Sequence, residues 1–168
     1  MTEEIFDIVN EADEPIGAAS RSVVHRAGFR HRAVHVLVFN SKGEVFLQKR
    51  SMSKDSAPGK WDSSASGHLD RGEDYDACAI RELAEELSFS PAEPPERLFK
   101  LPASSDTDNE FVWVYRCRGE GPFVLHPEEI DSGSWLSLGE ISRLILERPD
   151  DYARSFRLVW KSYSAAFQ

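Results

Sequence analysis

The sequence predicts an α/β (α+β) fold, a mixed β-sheet sandwiched between α-helices. Strand-like and helix-like periodicities interleave along the chain, and an acidic amphipathic helix stands in its middle. The length agrees. With 168 residues, 40% of them hydrophobic and 29% charged, the chain can bury one sizeable core and is too short for two comfortable domains. Residues 1–168 are therefore expected to form a single domain.

The elements follow in order. Ile5-Phe6-Asp7-Ile8-Val9, the polar run Asn10 to Glu14, and Pro15-Ile16-Gly17 read as a strand, a turn and a return strand. Val34 to Phe39 and Glu44 to Gln48 flank Asn40-Ser41-Lys42-Gly43, whose Asn and Gly suit a hairpin turn. Ser51 to Ser66 is expected to be irregular, and the acidic helix follows it. Beyond the Pro-rich link Pro91 to Pro95, strands are expected at Leu98 to Leu101 and Phe111 to Cys117. Ser137-Leu138-Gly139-Glu140 has capping-box spacing and opens a helix reaching Leu146. Tyr152, Phe156, Val159, Trp160, Tyr163 and Phe167 make one apolar face of a last helix starting near Asp151.

The chemistry concentrates between Gly67 and Phe89. Glu82, Glu85 and Glu86 stand at i, i+3 and i+4, so a helix turns all three to one side, and Glu73 lies on the turn leading in. Such carboxylates repel unless a cation sits between them. Hard oxygen ligands without histidine or thiolate on the helix suit Mg²⁺ or Mn²⁺. A solvated acidic face is the ordinary alternative. Against it, Glu85 and Glu86 fall in the last turn, where the helix dipole disfavours negative charge by about 0.3–1 kcal/mol each. Arg81 can reach back to Glu73 and fix the turn against the helix, while Ala79, Ile80, Leu83 and Leu87 form the stripe expected to pack on the core.

Charge narrows the partners. With 29 acidic against 20 basic side chains the net charge is −9, which argues against a nucleic-acid or anionic-membrane surface as the main partner. Cys78 and Cys117 lack CxxC spacing and read as reduced packing residues. The start Met1-Thr2-Glu3-Glu4 has no leader pattern and no apolar run has membrane-spanning length, so a cytoplasmic monomer or homodimer acting on a small molecule is expected. The basic exceptions Lys49, Arg50, Lys54 and Lys60 precede the acidic segment. Neighbouring strand residues face opposite ways, so Lys49 and Arg50 cannot both point inward, and Arg50 with Lys54 is preferred as a phosphate-binding pair.

The segment from Gly67 to Phe89 resembles the Nudix box, Gly-x5-Glu-x7-Arg-Glu-U-x-Glu-Glu-x-Gly-U with U apolar; only the last glycine departs, being Ser88 here. The resemblance implies a Nudix-type sheet sandwich, metal held by Glu82, Glu85, Glu86 and Gly67, and catalytic roles among Glu73, Arg81, Glu85 and Glu110. A narrower resemblance spans nearly the whole chain: Phe39 to Gly43, Lys49-Arg50-Ser51, Lys54, Pro58 to Trp61, Ser66-Gly67-His68 and Asn109-Glu110-Phe111 are similar to the isopentenyl-diphosphate-isomerase-like branch of that superfamily. It implies a second metal site from His25, His31, His68, Asp108 and Glu110, a diphosphate site from Arg21, Arg50 and Lys54, and a place for Trp135 near a carbocation. Structural roles for the three histidines are the alternative.

The isomerase carries a cysteine where this chain has Ser66. A hydroxyl of ordinary high pKa is a poor acid or base toward carbon, so isomerisation is disfavoured. The expected activity is metal-dependent hydrolysis of a diphosphate linkage in a nucleoside diphosphate or a derivative of one, with Glu85, Glu110 or Glu129 as general base. Phe29, Trp61, Phe111, Trp113 and Trp135 are candidate surfaces for stacking a base. A non-catalytic nucleotide-sensing module is the remaining alternative.

Overall fold

The computed structural model describes residues 2–168; Met1, the first residue of the stretch read above for a leader pattern, lies outside them. Strands β1 (Ile5–Val9) and β2 (Pro15–Ser20) form an antiparallel hairpin, and helix α1 (Arg21–Ala27) follows it directly. The main sheet contains β3 (His31–Phe39), β4 (Val45–Arg50), β5 (Trp61–Asp62), β6 (Ala65–His68), β7 (Glu96–Leu101), β8 (Glu110–Arg118) and β9 (Ile130–Leu136). Its order is β5-β4-β3-β8-β7, with β6 on β3 and β9 on β4. The β3–β8 pair is parallel and the others are antiparallel, which makes the sheet mixed.

Strand β3 is buried on both faces, and its period of two divides the core. Val34, Val36 and Val38 face helix α2 (Tyr75–Leu87), meeting Ala79, Leu83 and Leu87; Ala33 and Leu37 face the opposite layer. That layer holds α3 (Leu138–Glu147) and α4 (Arg154–Phe167), which contribute Ile141, Phe156, Val159 and Trp160. The expected sandwich is what the chain forms. Among the described residues no helix is long and apolar enough to cross a membrane.

Five local readings need correction. Helix α1 escaped notice because seven residues with two valines show no helical period, and β9 did because Asp131, Ser132, Gly133 and Ser134 look like a loop. Gly133 is needed there: a Cβ would stand 2.0 Å from Phe46 Cζ. The stretch from Ser51 to Ser66 is not wholly irregular, since it contains β5 and the first residues of β6. The last helix starts at Arg154, because Pro149 opens a separate 3₁₀ turn and Tyr152 is extended. On α2, Ile80 is 47% exposed and Cys78 takes the core place, 100° of helical rotation per residue having carried Ile80 past the packed stripe.

Helix α2 opens on Asp74, which accepts a hydrogen bond from the Ala77 amide, and closes on Ser88 at φ 52°. The Phe89 amide donates to the Leu83 carbonyl across that left-handed residue, so the helix ends as it would with glycine, at the steric cost of a Cβ. Ser88→Gly should therefore stabilise the protein by about 0.5–1 kcal/mol, the relief of left-handed strain exceeding the glycine's extra freedom when unfolded. Thermal melting is the measurement; a lowered Tm would show that the serine side chain supports the turn.

Candidate metal and diphosphate site

Arg81 is the joint of the acidic segment. Its guanidinium donates to both carboxylate oxygens of Glu73 at 2.8 and 2.9 Å, to the His68 carbonyl at 3.0 Å, to Glu82 at 2.9 Å and to Glu85 at 3.2 Å. Glu73 in turn accepts from the Asp70 amide, closing the glycine turn on the helix. Arg81 and Glu73, expected among the catalytic groups, stand behind the cavity wall rather than on it. Arg81 touches the cavity's carboxylates, bonding Glu82 and Glu85.

Glu82 and Glu86 are buried one helical turn apart, whereas the Glu85 side chain is about half exposed. The Glu82 carboxylate lies against β6 so closely that a Cβ on Gly67 would be 2.0 Å from its Oε1. Glu86 accepts from the Gln48 side chain and from the Ser66 amide, each at 3.0 Å. Burial raises the pKa of both carboxyls, with Glu86 adding to the effect on Glu82; Arg81 opposes it at Glu82, and Gln48 and Ser66 oppose it at Glu86. The pair therefore resists carrying two charges unless a cation joins it. The oxygen donor set fits a divalent metal of the Mg²⁺ or Mn²⁺ kind. Gln48, which sequence reasoning did not single out, was visible only as a polar residue ending the apolar run Val45-Phe46-Leu47.

A second group forms beside it. His25 of α1, His31 of β3, His68 of β6 and Glu110 of β8 present ligand atoms all within 4.8 Å of one another. Sheet register accounts for it, since His31 pairs with Glu110 and Ala33 with His68. Phe6 stacks on His31 and His68 at ring distances of 5.7 and 4.8 Å and fixes their planes. His31 Nδ1 meets the Phe29 carbonyl at 2.9 Å, which assigns the proton to Nδ1 and leaves the buried Nε2 without a hydrogen-bond partner. Burial alone would raise the Glu110 pKa, but the charge and hydrogen bond of His68, at 2.9 Å, with His31 beside it, hold it well below the carboxylate range. An orphaned imidazole nitrogen beside an ionised carboxylate fits a metal ligand set. Asp108 does not join this group: it caps a 3₁₀ turn (Ser105–Thr107) at φ 53° and stands on the cavity rim.

Both groups open onto one cavity of about 920 Å³, which Arg21, Arg50 and Lys54 also line. Each cation already has carboxylate company: Arg21 with Glu4 at 3.2 Å and Asp55 at 3.3 Å, Arg50 with Asp62 at 3.1 Å, Lys54 with Glu129. Lys49 points to the other side, as strand alternation requires. Glu85, Glu110 and Glu129, the three candidate bases, all reach the cavity, and so do His35 and His126, to which the sequence assigned no role. None of the five aromatic residues proposed for stacking lines it. Trp135 packs on Phe46 and Phe123 in the core, Trp113 lies under Arg97, Phe111 under Lys100, and Trp61 joins the α4 layer. Trp135, expected near a carbocation, thus packs against the core and is not among the residues lining the cavity.

A model of the NUDIX domain matches residues 29–159 of this chain. An uncharacterised Nudix hydrolase of Yersinia pestis is 34% identical over 160 residues, 92% of this chain and 85% of its own length. Isopentenyl-diphosphate Delta-isomerase 2 of Photorhabdus laumondii is 31% identical over 160 residues, 94% of this chain and 90% of its own length. A crystal structure from Deinococcus radiodurans superimposes with a TM-score of 0.84 at 26% identity, covering 98% of this chain and all of the other.

Two outcomes follow from the geometry. Gly67→Ala should displace the Glu82 carboxylate, the flexible end of its side chain, and lower turnover about tenfold or more while the protein stays folded. Retained turnover in kinetic assays would show that Glu82 is free to move. The second concerns pH without metal. Glu86 has a folded pKa above its unfolded value, so its favourable contribution is complete below the unfolded carboxylate range and is lost as pH rises through the folded value. Glu86→Gln should therefore raise Tm more at pH 8 than at pH 5 in metal-free buffer; the opposite order would mean that Glu86 is stabilised as a carboxylate.

Proposed function

We propose that this chain, which belongs to the NUDIX domain family, hydrolyses a diphosphate linkage in a nucleoside diphosphate or a derivative of one with the aid of divalent metal. The observation that carries the reading is that Glu82 and Glu86, buried side by side, open onto the same cavity as Arg21, Arg50 and Lys54. Anionic substrate and cationic wall match, and the carboxylates account for the metal.

Metal held by Glu82, Glu86, Glu85 and the Gly67 backbone would polarise phosphate oxygens and lower the pKa of bound water. Within the chain, Arg50 and Lys54 exchange their carboxylate partners for phosphate oxygens and orient the diphosphate. Arg50 is tethered more firmly, because its Nε also donates to the Ser56 carbonyl at 3.0 Å and its partner Asp62 is buried. The oxygen of the attacking water forms the new bond to phosphorus, the bridging P–O bond breaks, and the leaving phosphate takes the electron pair. Glu85 accepts the water's proton. It is the most exposed of the three candidates and is held only by Arg81, whereas Glu110 is bound to His68 and Glu129 to Lys54.

The isomerase reading keeps support from the histidine–carboxylate group and from the Photorhabdus relative. Ser66 opposes it, offering a hydroxyl where a thiol would be needed and spending its amide on Glu86. One experiment addresses both: phosphate release from nucleoside diphosphates and rearrangement of isopentenyl diphosphate, measured with Mg²⁺ or Mn²⁺ for the parent protein and Glu86→Gln. Hydrolysis is expected, and a loss of more than about tenfold in the variant. Variant hydrolysis within about threefold of the parent, under 1 kcal/mol of barrier, would contradict the assignment, and rearrangement by the parent protein would select the isomerase.

A further inference from the structure

We propose that the outer part of the cavity receives a hydroxyl-rich, non-aromatic group, the sugar that carries the diphosphate, and recognises it by hydrogen bonds while leaving any attached base outside. The proposal rests on the hydrolytic reading above and names what that site selects. A cavity of about 920 Å³ is in the range that holds a whole drug-sized ligand, roughly 300–1,000 Å³, and far exceeds what a diphosphate fills.

The lining is unusual in what it lacks. Among the described residues it contains no Phe, Tyr, Trp, Leu, Ile or Met, and its only apolar side chains are Ala33, Val34, Ala57 and Ala153. A base would find no Phe, Tyr or Trp face to stack on, and the lining imidazoles are already engaged, His25 and His68 in the histidine–carboxylate group, His35 with Ser63 and His126 with the Glu128 amide. An alkyl chain would meet only small side chains to be buried against. Hydroxyls, by contrast, would meet acceptors and donors from Asp108, Asn109, Ser56 and Ser155. Asp55 and Asp106 are engaged with Arg21 and Arg154, but Asp108 makes no ion pair among the described residues and keeps its carboxylate available.

These groups are held in place. Arg154 at the start of α4 bonds Asp106 at 2.7 Å and ties the two outer walls together. Asp108 and Asn109 are consecutive left-handed residues, at φ 53° and 59°, a conformation that Asp and Asn adopt more readily than most. The Asn109 amide donates to the Ser104 carbonyl at 2.7 Å and its side chain to the Gly28 carbonyl at 2.9 Å, so the surrounding structure imposes that backbone on the wall.

The test compares ribose 5-diphosphate, adenosine and cytidine diphosphates, and isopentenyl diphosphate with Mg²⁺. Removing the base should change kcat/KM by less than about threefold, while isopentenyl diphosphate should fall short of the ribose compound by about tenfold or more. Asp108→Asn, which the left-handed backbone tolerates, should raise KM for ribose 5-diphosphate about fivefold with kcat held. Strong dependence on the base, parity of the alkyl substrate or an unmoved KM overturns this proposal and leaves the hydrolase standing. No hydrolysis of any of the four removes both.

Discussion

Two carboxylates buried one helical turn apart carry a desolvation cost, and three neighbouring elements bond them in place. Taking a charge out of water is unfavourable by several kcal/mol, and a second like charge in contact makes it worse. Arg81, Gln48 and the Ser66 amide offset part of that cost from three different elements, α2 itself, β4 and β6. On the proposed reading, the remaining deficit is what a bound cation would relieve. An acidic helix optimised for stability alone would turn Glu82 and Glu86 outward, where Ile80 now stands.

Arg81 also converts this local problem into a fold-level constraint. Through Glu73 and the His68 carbonyl it binds the glycine turn and the end of β6 to α2, and through Glu82 it sets the carboxylate against Gly67. A mixed sheet then supplies the rest. Because β3 and β8 run parallel with His31 opposite Glu110, while β6 runs antiparallel on the other side of β3, residues more than 40 positions apart meet within hydrogen-bond reach. The N-terminal hairpin contributes Phe6 as the plate on which two of those imidazoles stack.

The cavity's cations are paired before any substrate arrives. Lys54 with Glu129 and Arg21 with Asp55 and Glu4 keep an overall acidic protein from presenting bare positive charge. On the proposed reading a diphosphate would displace these carboxylates, and a partly exposed ion pair contributes only about 0–1 kcal/mol, so the exchange would cost little for Lys54 and Arg21. Arg50 differs, since its partner Asp62 is buried and would be left unpaired. The same cavity wall holds no large apolar side chain, which directs selectivity to charge and hydrogen bonding.

The sequence by itself determined the family of the fold, the acidic helix with its Arg81–Glu73 clasp, the capping box of α3 and the apolar face of α4, because each of these is written in residues a few positions apart. Spacing on a helix or alternation along a strand is a local property, set by backbone geometry that every chain shares. Only the tertiary structure decided the others. It buried Glu82 and Glu86 while leaving Glu85 exposed, enlisted Gln48, put Asp108 on the rim and removed every candidate stacking aromatic from the cavity. Those outcomes depend on which strands neighbour one another and in what register, and short or polar elements such as α1 and β9 take their structure from neighbours rather than from their own periodicity.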